Sequence, residues 1–261
     1  MNPHQRVVIL TGATQGIGRA TAELLARQDC RLALAARNAD ALTALTAEIQ
    51  QAGGQAVPIP TDMGDTAQAA ALVQKTVVAF GKIDVVINNA AVGVSGKIES
   101  LPESEARRVM DVNYFGPVAL IQAAIPHLRT NPEGGLIINI SSIISRRAVP
   151  GTGGYCASKG ALDNMTDSLR VELAGDNIRV STVYPGVTAT AFTQNALGTN
   201  PTRRRHRMKG VPPERVARAI LKTIRRERRD VFITLVDRLF VTASVVWPGL
   251  IDKMLGGYMN R

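Results

Sequence analysis

Cysteine, histidine and aromatic residues are scarce in this chain. Of 261 residues only two are cysteine, Cys30 and Cys156, which excludes a disulfide framework. Without a CxxC pair or a Cys/His cluster, a structural zinc site is not expected. The three histidines, His4, His127 and His206, are scattered, which weakens any Ser-His-Asp reading. Long apolar runs are missing too. No stretch of about 18 uncharged apolar residues occurs, so no spanning helix is expected. Met1 to Arg6 is polar and the run Val7 to Leu10 is short, which is not the pattern of a secretory signal. The expectation is a cytoplasmic protein without bound metal.

What is present suits a large α/β domain. Apolar residues make up 45% and charged residues 20%, enough for a sizeable core and too apolar for general disorder. The net charge of +10 is local. Residues 203 to 229 hold twelve basic residues against Glu214 and Glu227, and the remainder of the chain is neutral. A nucleic-acid partner is therefore not expected: the arginines are confined to one segment and no aromatic platform accompanies them.

Short β-branched runs alternate with helical patterns. Strands are predicted at Val7–Leu10, Arg31–Ala36, Gln55–Pro60, Ile83–Ile87, Gly135–Ser141, Ile178–Val183 and Val231–Leu235. Helical spacing fills the intervals, including one long helix from about Glu103 to Leu128 that Pro117 should kink or loosen. Near-continuous apolar strands separated by helices predict a doubly wound parallel sheet of about seven strands, Rossmann-type, with helices on both faces. With no linker or repeat, residues 1 to 261 read as a single domain. Ligands of such sheets sit beyond the carboxyl ends of the strands.

The loop after the first strand is Thr11-Gly12-Ala13-Thr14-Gln15-Gly16-Ile17-Gly18. Gly12 permits a tight turn, Gly16 lets backbone approach a pyrophosphate, and Gly18 lets the helix sit close to the sheet. The alternative is a glycine-rich turn without a ligand. The second strand ends without a carboxylate, and Arg37 follows it. An acid there would bind a ribose 2′-hydroxyl, whereas an arginine suits a 2′-phosphate, so NADP(H) is favoured over NAD(H). Asp62, past the third strand, is placed to accept from an adenine amino group or simply to form a turn.

Tyr155 and Lys159 stand at i and i+4 on a predicted helix and share a face. A nearby ammonium should lower the phenol pKa, letting the tyrosine exchange a proton with a carbonyl or alcohol. Ser142 ends the fifth strand, Asn89 follows the fourth, Asn113 lies inside the long helix, and Pro185-Gly186 follows the sixth strand. Each alone reads equally as a turn or surface residue.

Together these motifs resemble the classical short-chain dehydrogenase/reductase family over about residues 6 to 190. Thr11, Gly12, Gly16, Ile17 and Gly18 fit its cofactor loop. Asn89 fits its N-N-A-G element, with Ala91 standing where the family has glycine. Asn113, Ser142, Tyr155 and Lys159 fit its catalytic set, and Pro185-Gly186 with Thr188 or Thr190 fits its P-G element. The resemblance implies reduction of a ketone or aldehyde by NADPH, with Tyr155 giving the proton and Ser142 orienting the carbonyl. It further implies that Lys159 binds the nicotinamide ribose and that Asn113, through a water, links Lys159 to solvent. A homodimer or homotetramer is the family habit. A non-enzymatic NADP(H)-binding protein on the same fold is the alternative.

Residues 187 to 212 would form a lid over the substrate, with the cluster Arg203 to Lys209 keeping it mobile. The tail, residues 237 to 261, is apolar and holds the single tryptophan. It is expected to pack on the core or a partner subunit, or to lie with the basic helix on an anionic membrane surface.

Overall fold

The structure, a computed structural model, describes residues 1–198 and 210–259. Seven strands form one parallel sheet: β1 (Val7–Thr11), β2 (Arg31–Ala36), β3 (Gln55–Pro60), β4 (Val85–Asn88), β5 (Gly135–Ile140), β6 (Ile178–Tyr184) and β7 (Asp230–Phe232). Their order is β3-β2-β1-β4-β5-β6-β7. The chain therefore leaves β1 in one direction and returns beside it at β4, which opens a crevice between the two at their carboxyl ends.

The two-residue period of the strands divides the core. Val8, Leu10, Val85, Ile87, Leu136 and Ile138 point to one face. There they meet α1 (Gly16–Ala26), α2 (Ala39–Gln51) and α8 (Pro213–Arg226). Ile9, Val86 and Ile137 point to the other face. They meet α3 (Thr66–Phe80), α5 (Gly116–Arg129) and α7 (Gly153–Glu172). Burial on both faces is why these strands read as unbroken apolar runs.

The long helix is divided where Pro117 stands. It runs as α4 (Glu103–Met110), a π-helical turn at Asp111–Phe115, and then α5, with Pro117 in its first turn. Gly116 is needed there, because a Cβ would lie 1.9 Å from the Met63 carbonyl oxygen. A four-residue helix, α6 (Ile143–Arg146), follows β5.

Boundaries shift by one or two residues at β1, at β4 (Val85–Asn88 rather than Ile83–Ile87) and at β5, and by more at the seventh strand. The seventh strand covers Asp230–Phe232, not Val231–Leu235, and Leu235 opens α9 (Leu235–Val246). Thr234 and Asp237 form a reciprocal capping box there: the Thr234 hydroxyl accepts from the Asp237 N–H and the Asp237 carboxylate accepts from the Thr234 N–H. That cap turns an apparently strand-like alternation into a helix start. The tail continues as α10 (Pro248–Met259), bent 112° from α9.

Asp84 fastens the opposite end of the sheet. Its buried carboxylate accepts from the Val7 N–H at 2.8 Å, from Asn131 at 2.7 Å and from Arg6 at 3.0 Å, with Lys82 also in contact. Burial pushes its pKa up, but these donors outweigh it and hold the carboxyl below the ordinary value. Its stabilisation is therefore full above the unfolded carboxyl pKa and is lost as pH falls through the depressed folded pKa. We predict that Asp84→Asn lowers stability by about 3 kcal/mol at pH 7, and by progressively less in acid. Urea midpoints across pH measure this; an equal loss at every pH contradicts it.

Candidate active site

The turn after β1 is held from behind. The Thr11 hydroxyl accepts from the N–H groups of Asn89 and Ala90, both at 3.0 Å. The Asn89 amide donates to the carbonyls of Thr11 (2.9 Å) and Gly12 (3.2 Å). Gly12 adopts φ +66, and a Cβ there would stand 2.8 Å from Ala90 Cα. At Gly18 a Cβ would meet the Gly12 carbonyl oxygen at 1.9 Å. The two turns flanking the crevice thus touch through backbone, a closeness only glycine permits.

The mouth of α1 is suited to an anion. Gln15 stands at its N-cap but makes no side-chain cap bond, and the first turn holds no acid. The leading N–H groups and the helix dipole therefore face the crevice uncompensated. Gly16, at φ +54, is overlain by the Thr190 side chain, 2.9 Å from where a Cβ would be. Ile17 packs its side chain on the core below. This cradle fits the pyrophosphate of a dinucleotide.

At the adenosine end Arg37 is exposed beyond β2. Asp62 lies opposite, and the Arg37 charge is among those acting on it. Both Asp62 oxygens accept from Arg108, at 2.9 and 2.8 Å, and one also accepts from the Gly64 N–H at 2.9 Å. Burial raises this carboxyl, while Gly64, Arg108 and Arg37 outweigh burial and lower it. Asp62 is thus first a structural anchor for the loop after β3.

Asn113, Ser142, Tyr155 and Lys159 converge at the other end, beyond β4, β5 and β6. Asn113 sits in the π-helical turn, fully buried. Its amide accepts from the Val92 N–H at 2.9 Å and donates to the Val92 carbonyl and to Ser158 Oγ, each at 2.9 Å. The side chain is therefore occupied in tying the loop after β4 to α7, so a water relay through this amide is not what the structure holds. Its main-chain carbonyl lies within the π-helical turn. The residue whose N–H would meet it in an α-helix is Pro117, which has none.

Ser142 caps α6 with only long contacts, accepting from the Ile144 N–H and donating to the Pro185 carbonyl, both at 3.4 Å. Its hydroxyl is correspondingly available to another partner. Thr188 donates to the Gly186 carbonyl at 3.2 Å, shaping the turn after Pro185. Asp237 of α9 fills the space where a Gly186 Cβ would be. Lys159 is only 2% exposed and donates to the Ile140 carbonyl at 2.8 Å. Burial lowers its ammonium to about 8, with Asp163 opposing the fall.

The phenol shift runs opposite to expectation. Burial pushes Tyr155 above its ordinary value, Cys156 and Asp163 act in the same direction, and the Ser142 hydroxyl opposes them. Desolvation of the phenolate is the largest cause, and the Lys159 ammonium, which donates to the Ile140 carbonyl, is not among the groups that offset it.

Residues without a sequence motif complete the site. Phe192 packs edge-on against Tyr155, with ring centroids 5.5 Å apart. It belongs to the segment after β6, which Leu197 secures by exchanging backbone bonds with Gly93 and Ser95 at 2.8 and 2.9 Å. Asn195 reaches Gln15 across the crevice at 3.3 Å. The arginine cluster Arg203 to Lys209 lies outside the described residues. Ser145 and Asp163 lie behind Ser142 and Lys159; spacing alone could have flagged Asp163, one helical turn past Lys159.

Comparison with known proteins agrees with this geometry. A family model for short chain dehydrogenase matches residues 6–200. An uncharacterized oxidoreductase, YxnA, of Bacillus subtilis is 30% identical over 96% of this chain and 71% of its own length. Dehydrogenase/reductase SDR family member 7B of Mus musculus is 32% identical, covering 98% and 81%. The ketoacyl reductase HetN of a Nostoc species is 29% identical, covering 95% and 88%. Among solved structures, a short chain dehydrogenase/reductase from Burkholderia phymatum in complex with NAD superposes with a TM-score of 0.89 at 26% identity, over 96% of each chain. An alcohol dehydrogenase from Thermococcus sibiricus complexed with 5-hydroxy-NADP gives 0.77 at 28% identity, covering 88% of this chain and 95% of that one.

The Asn89 brace yields a test. We predict that Asn89→Ala weakens dinucleotide binding at least tenfold while leaving the unfolding midpoint nearly unchanged, because the turn loses two hydrogen bonds at the surface of the sheet. Fluorescence titration with NADPH measures it; undiminished affinity contradicts the brace.

Proposed function

The chain belongs to the short-chain dehydrogenase family of oxidoreductases, and on that premise we propose that it is an NADP(H)-dependent carbonyl reductase, reversibly an alcohol dehydrogenase. The observation that carries this reading is the convergence of Ser142, Tyr155 and Lys159 beyond a glycine cradle whose helix mouth is open to an anion. The exposed Arg37 and the missing acid after β2 support NADP(H).

When bound, the dinucleotide supplies the hydride. The Ser142 hydroxyl donates to the substrate carbonyl oxygen and orients it. Tyr155, kept protonated at neutral pH by desolvation, gives its Oη proton to that oxygen as negative charge develops. The Lys159 ammonium offsets the phenolate left behind and bonds the nicotinamide ribose. The main-chain carbonyl of Asn113 holds the water that returns a proton from solvent. A complete catalytic set of this kind favours the enzyme over a purely NADP(H)-sensing protein. Tyr155→Phe is predicted to abolish ketone reduction while NADPH still binds; retained turnover contradicts the mechanism. In a carbonyl panel the wild type should consume NADPH faster than NADH, and equal rates would remove the Arg37 assignment.

The tail supports a further reading, peripheral contact with an anionic membrane. No single helix among the described residues is long and apolar enough to cross a bilayer. Yet α9 turns Val241 and Ser244 inward and presents Leu235, Leu239 and Val246 outward. Trp247, Leu250 and Met254 extend this exposed apolar surface across the bend, with Arg238 and Lys253 also exposed. Apolar side chains flanked by cations, with a tryptophan at the turn, suit the headgroup layer. A lipophilic ketone would then reach the site from the bilayer. Replacing Leu239 and Leu250 together by Glu is predicted to abolish flotation with phosphatidylserine vesicles. Unaltered flotation would contradict the contact. Failure of the wild type to float, with a dimer that the double variant breaks, would assign the face to a second copy of the chain.

A further inference from the structure

Asp163 is a buried carboxylate to which none of the motifs assigns a role. It lies one helical turn beyond Lys159 on α7 and is 3% exposed. An isolated charge at such a position costs several kcal/mol of desolvation, so something nearby must answer it. Ser145 Oγ stands 2.6 Å from Asp163 Oδ2 and 2.5 Å from the Ser142 carbonyl oxygen. The hydroxyl has one proton, so it donates to either the carboxylate or the Ser142 carbonyl at a time, and it stands between the carboxylate and the turn that carries Ser142. Arg146 Nε approaches Oδ2 at 3.3 Å from α6. The other oxygen, Oδ1, and the neighbouring Ser141 Oγ are both buried without a well-formed partner among the described residues. Tyr184 of β6 faces the same carboxylate, and its hydroxyl accepts from Arg146 at 2.6 Å. Arg146 in turn is shared with Asp167.

We propose that Asp163 is a positioning residue for the reaction: its buried negative charge keeps Lys159 in the ammonium form, and its Ser145 bond locks the Ser142 turn to the helix that bears Tyr155 and Lys159. This inference rests on the reductase reading above. Among the described residues Lys159 Nζ donates to one neutral carbonyl, and the side chain is almost fully buried. Burial raises the Asp163 carboxyl, while Ser141, Ser145, Arg146 and Lys159 oppose the rise, and Asp163 in turn opposes the fall that burial imposes on Lys159. Arg146 competes for the same carboxylate from the outer side, and Ser141, Ser145 and Tyr184 complete the groups facing it. A hydrophobic residue of similar size would pack this position without any desolvation cost. The carboxylate is therefore explained by the charge it serves.

The experiment is a pH titration of the full chain labelled with ε-13C-lysine, with Lys159 assigned by Lys159→Arg. The wild-type midpoint should lie near 8. In Asp163→Asn, burial acts unopposed, and the midpoint should fall by at least one pH unit, a tenfold change in proton affinity. Asp163→Glu should restore it. The pH at which ketone reduction falls off should move down in step with the midpoint. Ser145→Ala, which leaves a carboxylate less readily ionised, should shift the midpoint the same way by less, and decides the matter if Asp163→Asn does not fold. A folded Asp163→Asn chain, or failing that Ser145→Ala, with an unmoved Lys159 midpoint overturns the proposal. Because the resonance is read without turnover, absence of ketone reduction in the wild type would count against the reductase reading alone.

Discussion

The site depends on a buried cation. Lys159 is anchored to the carbonyl that ends β5, and its helix carries Tyr155 one turn earlier. Removing an ammonium from water is costly, and the fold meets that cost with a strand-end carbonyl and the carboxylate of Asp163. Every other catalytic feature is placed relative to this arrangement. Ser142 follows β5 directly, and Asn113 clamps the loop after β4 against Ser158, the residue before Lys159.

The parallel sheet makes this convergence possible. All strands present their carboxyl ends to one edge, and the return of the chain beside β1 at β4 opens the crevice. Thr11 and Asn89 join the two turns that border it. Phe192, in the segment after β6, packs edge-on against Tyr155. Rigid positioning of this kind is what an enzyme must contribute when the cofactor brings the difficult chemistry.

Much of this was legible in the residues. The central strands stood out as apolar runs because both faces of the sheet are covered there, whereas β3, with alternating exposed residues and two prolines, was read from its flanking breaks. Pro117 correctly marked a loosened turn, since it lacks the N–H that an unbroken helix needs. The glycine turn and the Tyr155–Lys159 pair were readable because their spacing reflects local geometry. The end of β7 was not, because Thr234 and Asp237 cap a helix inside an alternating apolar pattern. The direction of the Tyr155 shift was also hidden. Helical spacing places the ammonium on the same face, but only the packed structure shows that burial dominates and that Lys159 turns to Ile140. Phe192 and Ser145 act through tertiary contacts that no local pattern announces.

The central claim is that a buried ammonium stands between the dinucleotide and the proton-donating phenol. A crystal structure of the NADPH complex tests it most directly. The account predicts that Lys159 keeps its bond to Ile140 while donating to the nicotinamide ribose, with the Tyr155 hydroxyl beside the hydride-bearing carbon. A ribose bound elsewhere, with Lys159 still sealed away from it, would contradict the account.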